Sequence, residues 1–288
     1  MTGYELPGDW PDAATSRFVD AAGLRWHVQV RGTGPDVLLL HGTGASSHSW
    51  VPMARLLERN FRVIAPDLPG QGFTQLAPAQ QCSLAGMAQA IAALLDVLGA
   101  EPELIVGHSA GAAIAATLCL RGSFDPKAIV SINGAMLPFG RAAAPVFSKA
   151  AQLLAASPVF TQLVALHAVP RKPVERMLRQ TGSKTPPEMV RCYRELLGKP
   201  RHVAATLRMM ANWDLAQLEG NLDRLNPALC LLVCDKDSVV LPAQGEELAR
   251  RVPQAQLHRI DGLGHLGHEE HPRWFVDQVN ALAKAQGL

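Results

Sequence analysis

The architecture of this chain is indicated most clearly by residues 104–113, which read Leu104-Ile105-Val106-Gly107-His108-Ser109-Ala110-Gly111-Ala112-Ala113. The apolar run before Gly107 predicts a buried strand, and the small residues after Ser109 predict a helix packed closely against it. Between them lies the pattern G-x-S-x-G, which places a serine on a sharp turn from strand to helix. Glycine on each side of that turn leaves room for its strained backbone. The pattern therefore predicts Ser109 as a nucleophile presented at the end of a sheet.

Other parts of the chain repeat this alternation of apolar strands and helical patterns. Apolar runs predict a hairpin followed by buried strands, at residues 17–20, 24–31, 36–41, 61–65, 104–106, 128–132 and 229–233, with a more polar edge strand at 256–260. Helical periodicity separates several of them, at residues 84–98, 110–120 and 243–251. Apolar strands that alternate with helices are typical of a parallel sheet covered on both faces. We therefore predict an α/β fold with a doubly wound, mostly parallel sheet.

The alternation stops between residues 136 and 215, where helical patterns are interrupted by eight prolines. We predict that residues 136–215, called the lid segment below, form a helical lid inserted after the sixth strand. Residues 1–135 and 216–288 then form the core. Two apolar stretches of the lid segment, residues 145–154 and 159–169, suggest an apolar or amphipathic substrate. Ordinary packing of the lid on the core explains them equally well.

The lid segment is basic, whereas the rest of the chain is acidic. It contains twelve Lys and Arg against four Asp and Glu, a net charge of +8, and the remainder has fifteen against twenty-one, a net of −6. Helical spacing can bring Lys172, Arg176 and Arg179 to one face beside Arg171. This cluster predicts an anionic partner such as an acidic membrane surface, an anionic amphiphile or a protein subunit, and the alternative is a solvated face that pairs with the acidic core. Nucleic acid is not predicted, because the segment lacks interleaved aromatic residues.

Two aspartates follow the strand predicted at residues 229–233. Asp237 begins the turn Asp-x-x-Val-x-Pro that leads into the next helix, whereas Asp235 is closer to the strand end and is expected to fix the turn. Asn133 ends the sixth strand, where sheets of this type sometimes carry the acid, but its amide cannot stabilise an imidazolium as a carboxylate does. We therefore predict Asp237 as the acid that orients the base.

Three histidines near the end of the chain are candidates for the base. His265 lies in a glycine-rich loop from which it can reach Ser109. His268 and His271 precede a helix that Pro272 is expected to begin, and we predict that both are surface residues. His265 is therefore the predicted general base.

No metal ion or organic cofactor is predicted. The three histidines lack the i,i+4 pair of a zinc-binding helix. Glycines 262, 264 and 267 match the dinucleotide fingerprint, but they lie outside any βαβ unit. The order Ser109, Asp237, His265 is the one expected for this class of triad, and it predicts acyl transfer through a covalent serine ester.

Two loops are expected to complete the site. The loop His41-Gly42-Thr43-Gly44 follows an apolar strand, and in this architecture such a loop supplies one backbone N–H to the oxyanion while the residue after the nucleophile supplies the other. We assign these donors to Thr43 and Ala110. The substrate-binding residues are predicted to be Gly42, His108, Met136 and Trp213.

The sequence also carries hints about the compartment. Its five cysteines are odd in number and form no C-x-x-C pair, so they are predicted to be reduced. The N-terminal residues lack the pattern of a signal peptide, and no run of 18 or more apolar residues is present. We expect a cytoplasmic protein, with peripheral membrane contact through the basic lid segment as an additional hypothesis.

Over essentially its whole length the chain resembles the α/β-hydrolase superfamily. Residues 67–74, Asp-Leu-Pro-Gly-Gln-Gly-Phe-Thr, resemble the superfamily's loop D-x-P-G-H-G-x-S, from which Gln71 and Thr74 depart. A closer resemblance is to the magnesium-chelatase accessory hydrolases, which are encoded with bacteriochlorophyll-biosynthesis proteins. It rests on residues 16–19, 24–29, 41–45, 107–113 and 209–215. That resemblance implies a tetrapyrrole as substrate or partner, without implying a particular reaction.

Three hypotheses for the function follow. The first is a serine hydrolase that acts on an ester-type small molecule, such as a tetrapyrrole ester. The second is a non-catalytic accessory or carrier protein for a tetrapyrrole or for a magnesium-chelatase subunit. The third is a hydrolase of carbon–carbon bonds, because the same triad can support that reaction.

Overall fold

The computed structural model describes residues 5–138, 157–168 and 170–288. Its centre is an eight-stranded sheet in the order β1-β2-β4-β3-β5-β6-β7-β8. The pairs β1–β2 and β2–β4 are antiparallel, and all other neighbours are parallel. The strands are β1 Ser16–Ala21, β2 Leu24–Arg31, β3 Asp36–Leu40, β4 Arg62–Pro66, β5 Pro102–His108, β6 Ala128–Ile132, β7 Ala228–Cys234 and β8 Ala255–Ile260.

Helices connect most of these strands and lie on both faces of the sheet. They are α1 Val51–Leu57, α2 Leu84–Leu98, α3 Ala110–Leu120, α4 Pro158–Ala168, α5 Arg171–Arg179, α6 Pro187–Leu197, α7 Pro200–Ala211, α8 Ala216–Glu219, α9 Pro242–Arg251, α10 Gly267–Glu270 and α11 Pro272–Ala285. None of the described helices is long and apolar enough to cross a membrane.

The period-2 alternation of strand side chains builds two cores, one on each face of the sheet. Leu38 and Leu40 of β3 pack in the cluster that contains α2 and α3, whereas Val37 and Leu39 pack in the cluster that contains α1 and α11. All four side chains are fully buried, which explains why the strand is a continuous apolar run. The predicted α/β class and the doubly wound, mostly parallel sheet are confirmed.

The register of the central strands brings their carboxyl ends together. His108 lies opposite Ile132, and Ile132 lies opposite Leu232. Ser109 follows β5, Asn133 follows β6, and the loop that carries Asp237 follows β7. The candidate site therefore forms at one edge of the sheet, as expected for this type of fold.

The stretch between β6 and β7 contains α4 to α8 and no strand among its described residues. The apolar stretch 145–154 lies outside the described residues, as does residue 169 at the end of the second stretch. The predicted bounds of the lid segment, and its role as a lid, remain predictions.

Candidate active site

Ser109 lies between β5 and α3 in a strained backbone conformation. Its φ is 52° and its ψ is −119°, in a region that residues other than glycine rarely adopt and that costs about 1–3 kcal/mol. Three backbone hydrogen bonds hold it there: Ser109 N–H donates to Ile132 O at 3.0 Å, and Ser109 O accepts from the N–H groups of Ala112 at 3.1 Å and Ala135 at 3.0 Å. A Cβ on Gly111 would lie 2.0 Å from Leu40 O, so glycine is required for α3 to approach β3. The turn predicted from the sequence is therefore fixed by its neighbours on both sides.

His265 is held by Asp237, and not by Asp235. His265 Nδ1 donates to Asp237 Oδ2 at 2.7 Å, and both side chains are buried. The other carboxylate oxygen, Oδ1, accepts from the N–H groups of Val239 at 2.8 Å and Val240 at 2.9 Å. With the proton on Nδ1, the Nε2 atom of His265 carries a lone pair and can accept a proton.

Asp235 performs the structural task predicted for it. Its Oδ1 accepts from Gly262 N–H at 2.6 Å, which ties the turn after β7 to the loop that precedes His265. The two aspartates are two residues apart, but only the carboxylate of Asp237 reaches the imidazole.

The nucleophile and the base lie on adjoining segments. The ring of His108, the residue before Ser109, lies 4.6 Å from the ring of His265. Ser109 Oγ forms no hydrogen bond to His265 Nε2 or to any other group of the described residues. Such contacts are often long in enzymes without substrate and tighten when it binds.

Asn133 positions the backbone of His265, a role that sequence reasoning missed. Its Nδ2 donates to His265 O at 3.0 Å and to Gly264 O at 3.3 Å, and its Oδ1 accepts from Cys234 N–H at 2.8 Å. The amide orientation is unambiguous, because an N–H can only donate and carbonyl oxygens can only accept. The side chain therefore joins the ends of β6 and β7 to the histidine loop.

The loop after β3 lies against Ser109. A Cβ on Gly42 would lie 3.0 Å from Ser109 Cβ, so this loop is directly beside the predicted nucleophile. His41 fixes the loop as a neutral residue: Leu68 N–H donates to its Nε2 at 2.9 Å, and its Nδ1–H donates to Gly42 O at 2.8 Å. Burial lowers the pKa of His41 and keeps the ring neutral, and the two hydrogen bonds select this tautomer.

The two predicted oxyanion donors have no competing acceptor. Neither the Thr43 N–H nor the Ala110 N–H donates a hydrogen bond to another group among the described residues. The Ala110 N–H begins α3, where the helix dipole favours negative charge. Both donors are therefore free to bind a substrate oxygen.

His202 of α7 joins the lid segment to the loop after β3. Gly72 N–H donates to its Nδ1 at 3.0 Å, and its Nε2–H donates to Gly44 O at 3.2 Å. The side chain is fully buried, and burial lowers its pKa to about 4. The sequence contained a signal for this contact. His202 shares one face of a helix with Ala205 and Met209, which are both apolar.

A second part of the lid segment contacts the histidine loop. His265 N–H donates to Thr181 O at 3.1 Å, and Leu266 N–H donates to Ser183 Oγ at 2.8 Å. A Cβ on Gly264 would lie 2.2 Å from the carbonyl carbon of Gly182, so the two backbones are in direct contact. The position of His265 thus depends on the turn between α5 and α6.

His268 is not a surface residue, which corrects the prediction. It is fully buried, and its ring lies 4.4 Å from the ring of His108. Its Nε2–H donates to Ser49 Oγ at 2.8 Å, and Ser49 Oγ donates to Glu269 Oε1 at 2.5 Å. Tyr193 of α6 donates to the same oxygen at 2.7 Å. The polar run at residues 268–271, His-Glu-Glu-His, suggested a surface segment, but His268 and Glu269 lie in a buried polar cluster. His271 is exposed, as predicted.

Burial sets the ionisation of this cluster. It lowers the pKa of His268 to about 3 and raises the pKa of Glu269 to about 7. His268 is therefore neutral at physiological pH, and Glu269 titrates close to it.

The predicted substrate-binding residues occupy different environments. His108 is buried, and its Nε2–H donates to His265 O at 2.9 Å, so it supports the histidine loop. Met136 is buried in the cluster that contains Ala110, and Trp213 is half-buried against the same cluster. Ser109 itself is 9% exposed. No group of side chains suited to a metal ion is present in the described part of the chain.

Comparison with known proteins places this geometry in context. Residues 37–278 match the model of the alpha/beta hydrolase family. The chain is 37% identical to the magnesium-chelatase 30 kDa subunit of Rhodobacter capsulatus, over 92% of this chain and 93% of that protein. It is 27% identical to 2-hydroxymuconate semialdehyde hydrolase of Pseudomonas putida, over 94% and 95% respectively. The structure of a thermophilic esterase from Thermogutta terrifontis has a similar fold, with a TM-score of 0.72, 24% identity, and coverage of 93% of this chain and 97% of that one.

Proposed function

Because this chain belongs to the alpha/beta hydrolase family, as its resemblance predicted, we propose that it is a serine hydrolase with the triad Ser109, His265 and Asp237. The observation that carries the proposal is the hydrogen bond of 2.7 Å between His265 Nδ1 and Asp237 Oδ2, beside a serine on a strained turn. A carboxylate in this position fixes the tautomer in which Nε2 is the base.

In the first half of the proposed reaction Ser109 Oγ attacks the substrate carbonyl, and His265 Nε2 accepts the proton of the hydroxyl. Asp237 stabilises the imidazolium that forms. The N–H groups of Thr43 and Ala110 donate to the oxygen of the tetrahedral intermediate, and a single donor of this kind contributes about 100- to 1000-fold to the rate. His265 then protonates the leaving group, which departs and leaves an ester on Ser109.

In the second half His265 removes a proton from water, which attacks the ester carbonyl. The second tetrahedral intermediate uses the same two donors, and its collapse returns the proton to Ser109 Oγ. The atoms balance as one hydrolysis, with no redox step.

Labelling with a fluorophosphonate tests this proposal without knowledge of the substrate. Wild-type protein is expected to gain one covalent adduct at Ser109, and Ser109→Ala is expected to gain none while it keeps the wild-type melting temperature. His265→Ala is expected to label far more slowly, and the exposed His271→Ala is the matched control. Labelling of Ser109→Ala at the wild-type rate would contradict the nucleophile assignment.

For the substrate we propose an ester-type, apolar or amphipathic small molecule, with tetrapyrrole esters as the first class to test. The support is the similarity to a protein named as a magnesium-chelatase subunit, together with the apolar residues of the lid segment. A panel of acyl esters of graded chain length and porphyrin methyl esters tests this choice. Hydrolysis that is independent of the acyl group would argue against a built apolar pocket.

Two other functions are favoured by specific similarities. The 27% identity to 2-hydroxymuconate semialdehyde hydrolase supports attack on a carbon–carbon bond, which a vinylogous diketone would reveal by loss of its absorbance. The 37% identity to a chelatase subunit supports an accessory role, in which the protein binds a tetrapyrrole or a chelatase subunit. Porphyrin binding that is unchanged in Ser109→Ala, with no turnover of any ester by wild type, would favour the accessory role.

A further inference from the structure

Helix α4 exposes a narrow apolar stripe, which we call the α4 stripe and define as Val159, Leu163 and Leu166. Their exposed fractions are 70%, 59% and 58%. The spacing i, i+4, i+7 places the three side chains on one side of the helix. The opposite side carries the buried residues Thr161 and Ala165, and the helix packs on α7. Three large aliphatic side chains on one exposed helix face indicate a contact surface.

Cations lie beside this stripe. A groove of about 450 Å³ runs between α4, α5 and α6, and its described lining includes His167, Met177, Leu197, Lys172 and Arg176. His167 follows Leu166 and Leu163 on the exposed side of α4, so the groove adjoins the α4 stripe. The stripe and the two cations therefore belong to one surface.

Lys172 and Arg176 have no carboxylate partner among the described residues. Lys172 and Arg176 are both exposed, and neither forms an ion pair among the described residues. Arg179 differs, because it lies 3.8 Å from the carboxylate of Glu175. Unpaired cations beside an exposed apolar surface are available to an external anion.

We propose that the α4 stripe, with Lys172 and Arg176, docks this protein on a lipid bilayer that carries anionic headgroups. An apolar helix face flanked by cations is the arrangement that places a helix in the plane of a membrane interface. The aliphatic side chains enter the boundary between headgroups and acyl chains, and Lys172 and Arg176 contact the phosphates. The inference is independent of the chemistry at Ser109.

A second copy of the chain fits this surface less well. A two-fold symmetric contact centred on this surface would bring the basic pairs of the two copies close together, and like charges across an interface disfavour association. The α4 stripe and Met177 offer only four large apolar side chains, whereas a stable protein interface buries at least about 1,000 Å². A weak, charge-assisted membrane contact does not need that area.

Co-sedimentation with vesicles tests the proposal. Wild-type protein is expected to bind vesicles of phosphatidylcholine mixed with phosphatidylglycerol, and to bind pure phosphatidylcholine weakly. Raising the salt from about 0.1 M to about 1 M shortens the screening length from about 10 Å to about 3 Å and is expected to release most of the protein. Lys172→Glu with Arg176→Glu is expected to lower the partition coefficient by at least about 30-fold, which is the effect of losing two attractions, because the glutamates also repel the anionic headgroups.

Further variants separate the apolar contribution from the charge. Leu163→Ser with Leu166→Ser is expected to lower binding by on the order of 100-fold, since two leucine side chains lose their burial in the bilayer. The matched controls, Val97→Asn and Arg121→Glu, alter an exposed apolar residue of α2 and an exposed cation after α3, and are expected to bind as wild type does.

Three results would overturn the proposal. The first is wild-type binding that does not depend on phosphatidylglycerol, and the second is equal binding by the charge-reversed variant. The third is a dimer in sedimentation equilibrium that Leu163→Ser with Leu166→Ser converts to a monomer, which would assign the α4 stripe to a second copy. Fluorophosphonate labelling of each variant at the wild-type rate shows that the lid-segment changes leave Ser109 intact.

Discussion

Replacing Asn133 by aspartate is expected to destabilise the protein by an amount that depends on pH. The Nδ2 of Asn133 donates to His265 O and Gly264 O, and an ionised aspartate would place an oxygen against both carbonyls. Two lost hydrogen bonds cost about 1 kcal/mol each, and a buried group left unsatisfied costs about 1–3 kcal/mol more. The expected loss at neutral pH is therefore about 3–5 kcal/mol, a large part of the 5–15 kcal/mol that is usual for a folded protein.

The pH dependence distinguishes this cause from a simple loss of packing. A carboxylic acid that is protonated can still donate to His265 O, so the folded state of Asn133→Asp favours the protonated form and raises its pKa above the unfolded value of about 3.9. Stability is then retained below about pH 4 and is lost as the pH rises toward the folded-state pKa, by about 1.4 kcal/mol for each pH unit. Asn133→Ala removes the same donors without adding a charge, so its loss of stability is expected to be the same at every pH.

The measurement is the free energy of unfolding by urea at several pH values between 4 and 8, for wild type and both variants. The stability of Asn133→Asp relative to Asn133→Ala is expected to fall as the pH rises, and fluorophosphonate labelling of Asn133→Asp is expected to slow in parallel because His265 shifts. A difference that stays constant over this range would refute the role assigned to the Asn133 amide.

Three other predictions follow from the site. Asp237→Asn is expected to slow fluorophosphonate labelling by about 10,000-fold because His265 takes the wrong tautomer. Asp235→Asn keeps an acceptor for Gly262 N–H and is expected to label at the wild-type rate. The reverse order of the two rates would assign the role of the acid to Asp235. His202→Ala leaves Gly44 O and Gly72 N–H without partners, and a displaced loop is expected to slow labelling by about 10- to 100-fold. Arg201→Ala, which removes the hydrogen bonds to Gly72 O and Thr74 O, is its control, and equal rates would contradict the proposed coupling. Since burial raises the pKa of Glu269 from its ordinary value of 4.5 to about 7, wild type is expected to lose about 2–3 kcal/mol of stability between pH 5 and 8 relative to Glu269→Gln, which has no charge to desolvate. Parallel stability curves in urea would show that Glu269 does not titrate in this range.

The fold was predictable where local pattern and tertiary environment demand the same residues. The helices Leu84–Leu98 and Ala110–Leu120 and the strand Ala128–Ile132 begin and end where the sequence predicts. Each of the three elements is bounded by a glycine, a serine or a change of periodicity. The two helices pack on the sheet, and the strand is buried within it. Helix α1 was missed because its seven residues are too short to show a helical period, and because Pro52 lies in its first turn.

The residues that touch in the site were predictable by motif, but the residues that position them were not. Asp237 was preferred to Asp235 from its turn pattern, and the structure brings its carboxylate to His265. Asn133 was considered only as a possible acid, because its real contacts join backbone atoms from three separate segments and leave no local pattern. His268 was placed on the surface because its neighbours in sequence are polar, although the cluster that accepts it includes Ser49, more than 200 residues earlier.

The contact between Gly182 and Gly264 restricts how the chain can change over evolution or in design. An exchange of the helices between β6 and β7 with those of a related protein would bring a new turn against the histidine loop. A side chain at Gly264 would collide with the backbone of Gly182, and a side chain at Gly182 would collide with the carbonyl oxygen of Lys236. Either change would displace the turn that binds the amide of His265. Working chimaeras are therefore expected to take both the helical segment and the histidine loop from one parent. An exchangeable module has to include the loop at residues 262–266 together with the helices between β6 and β7.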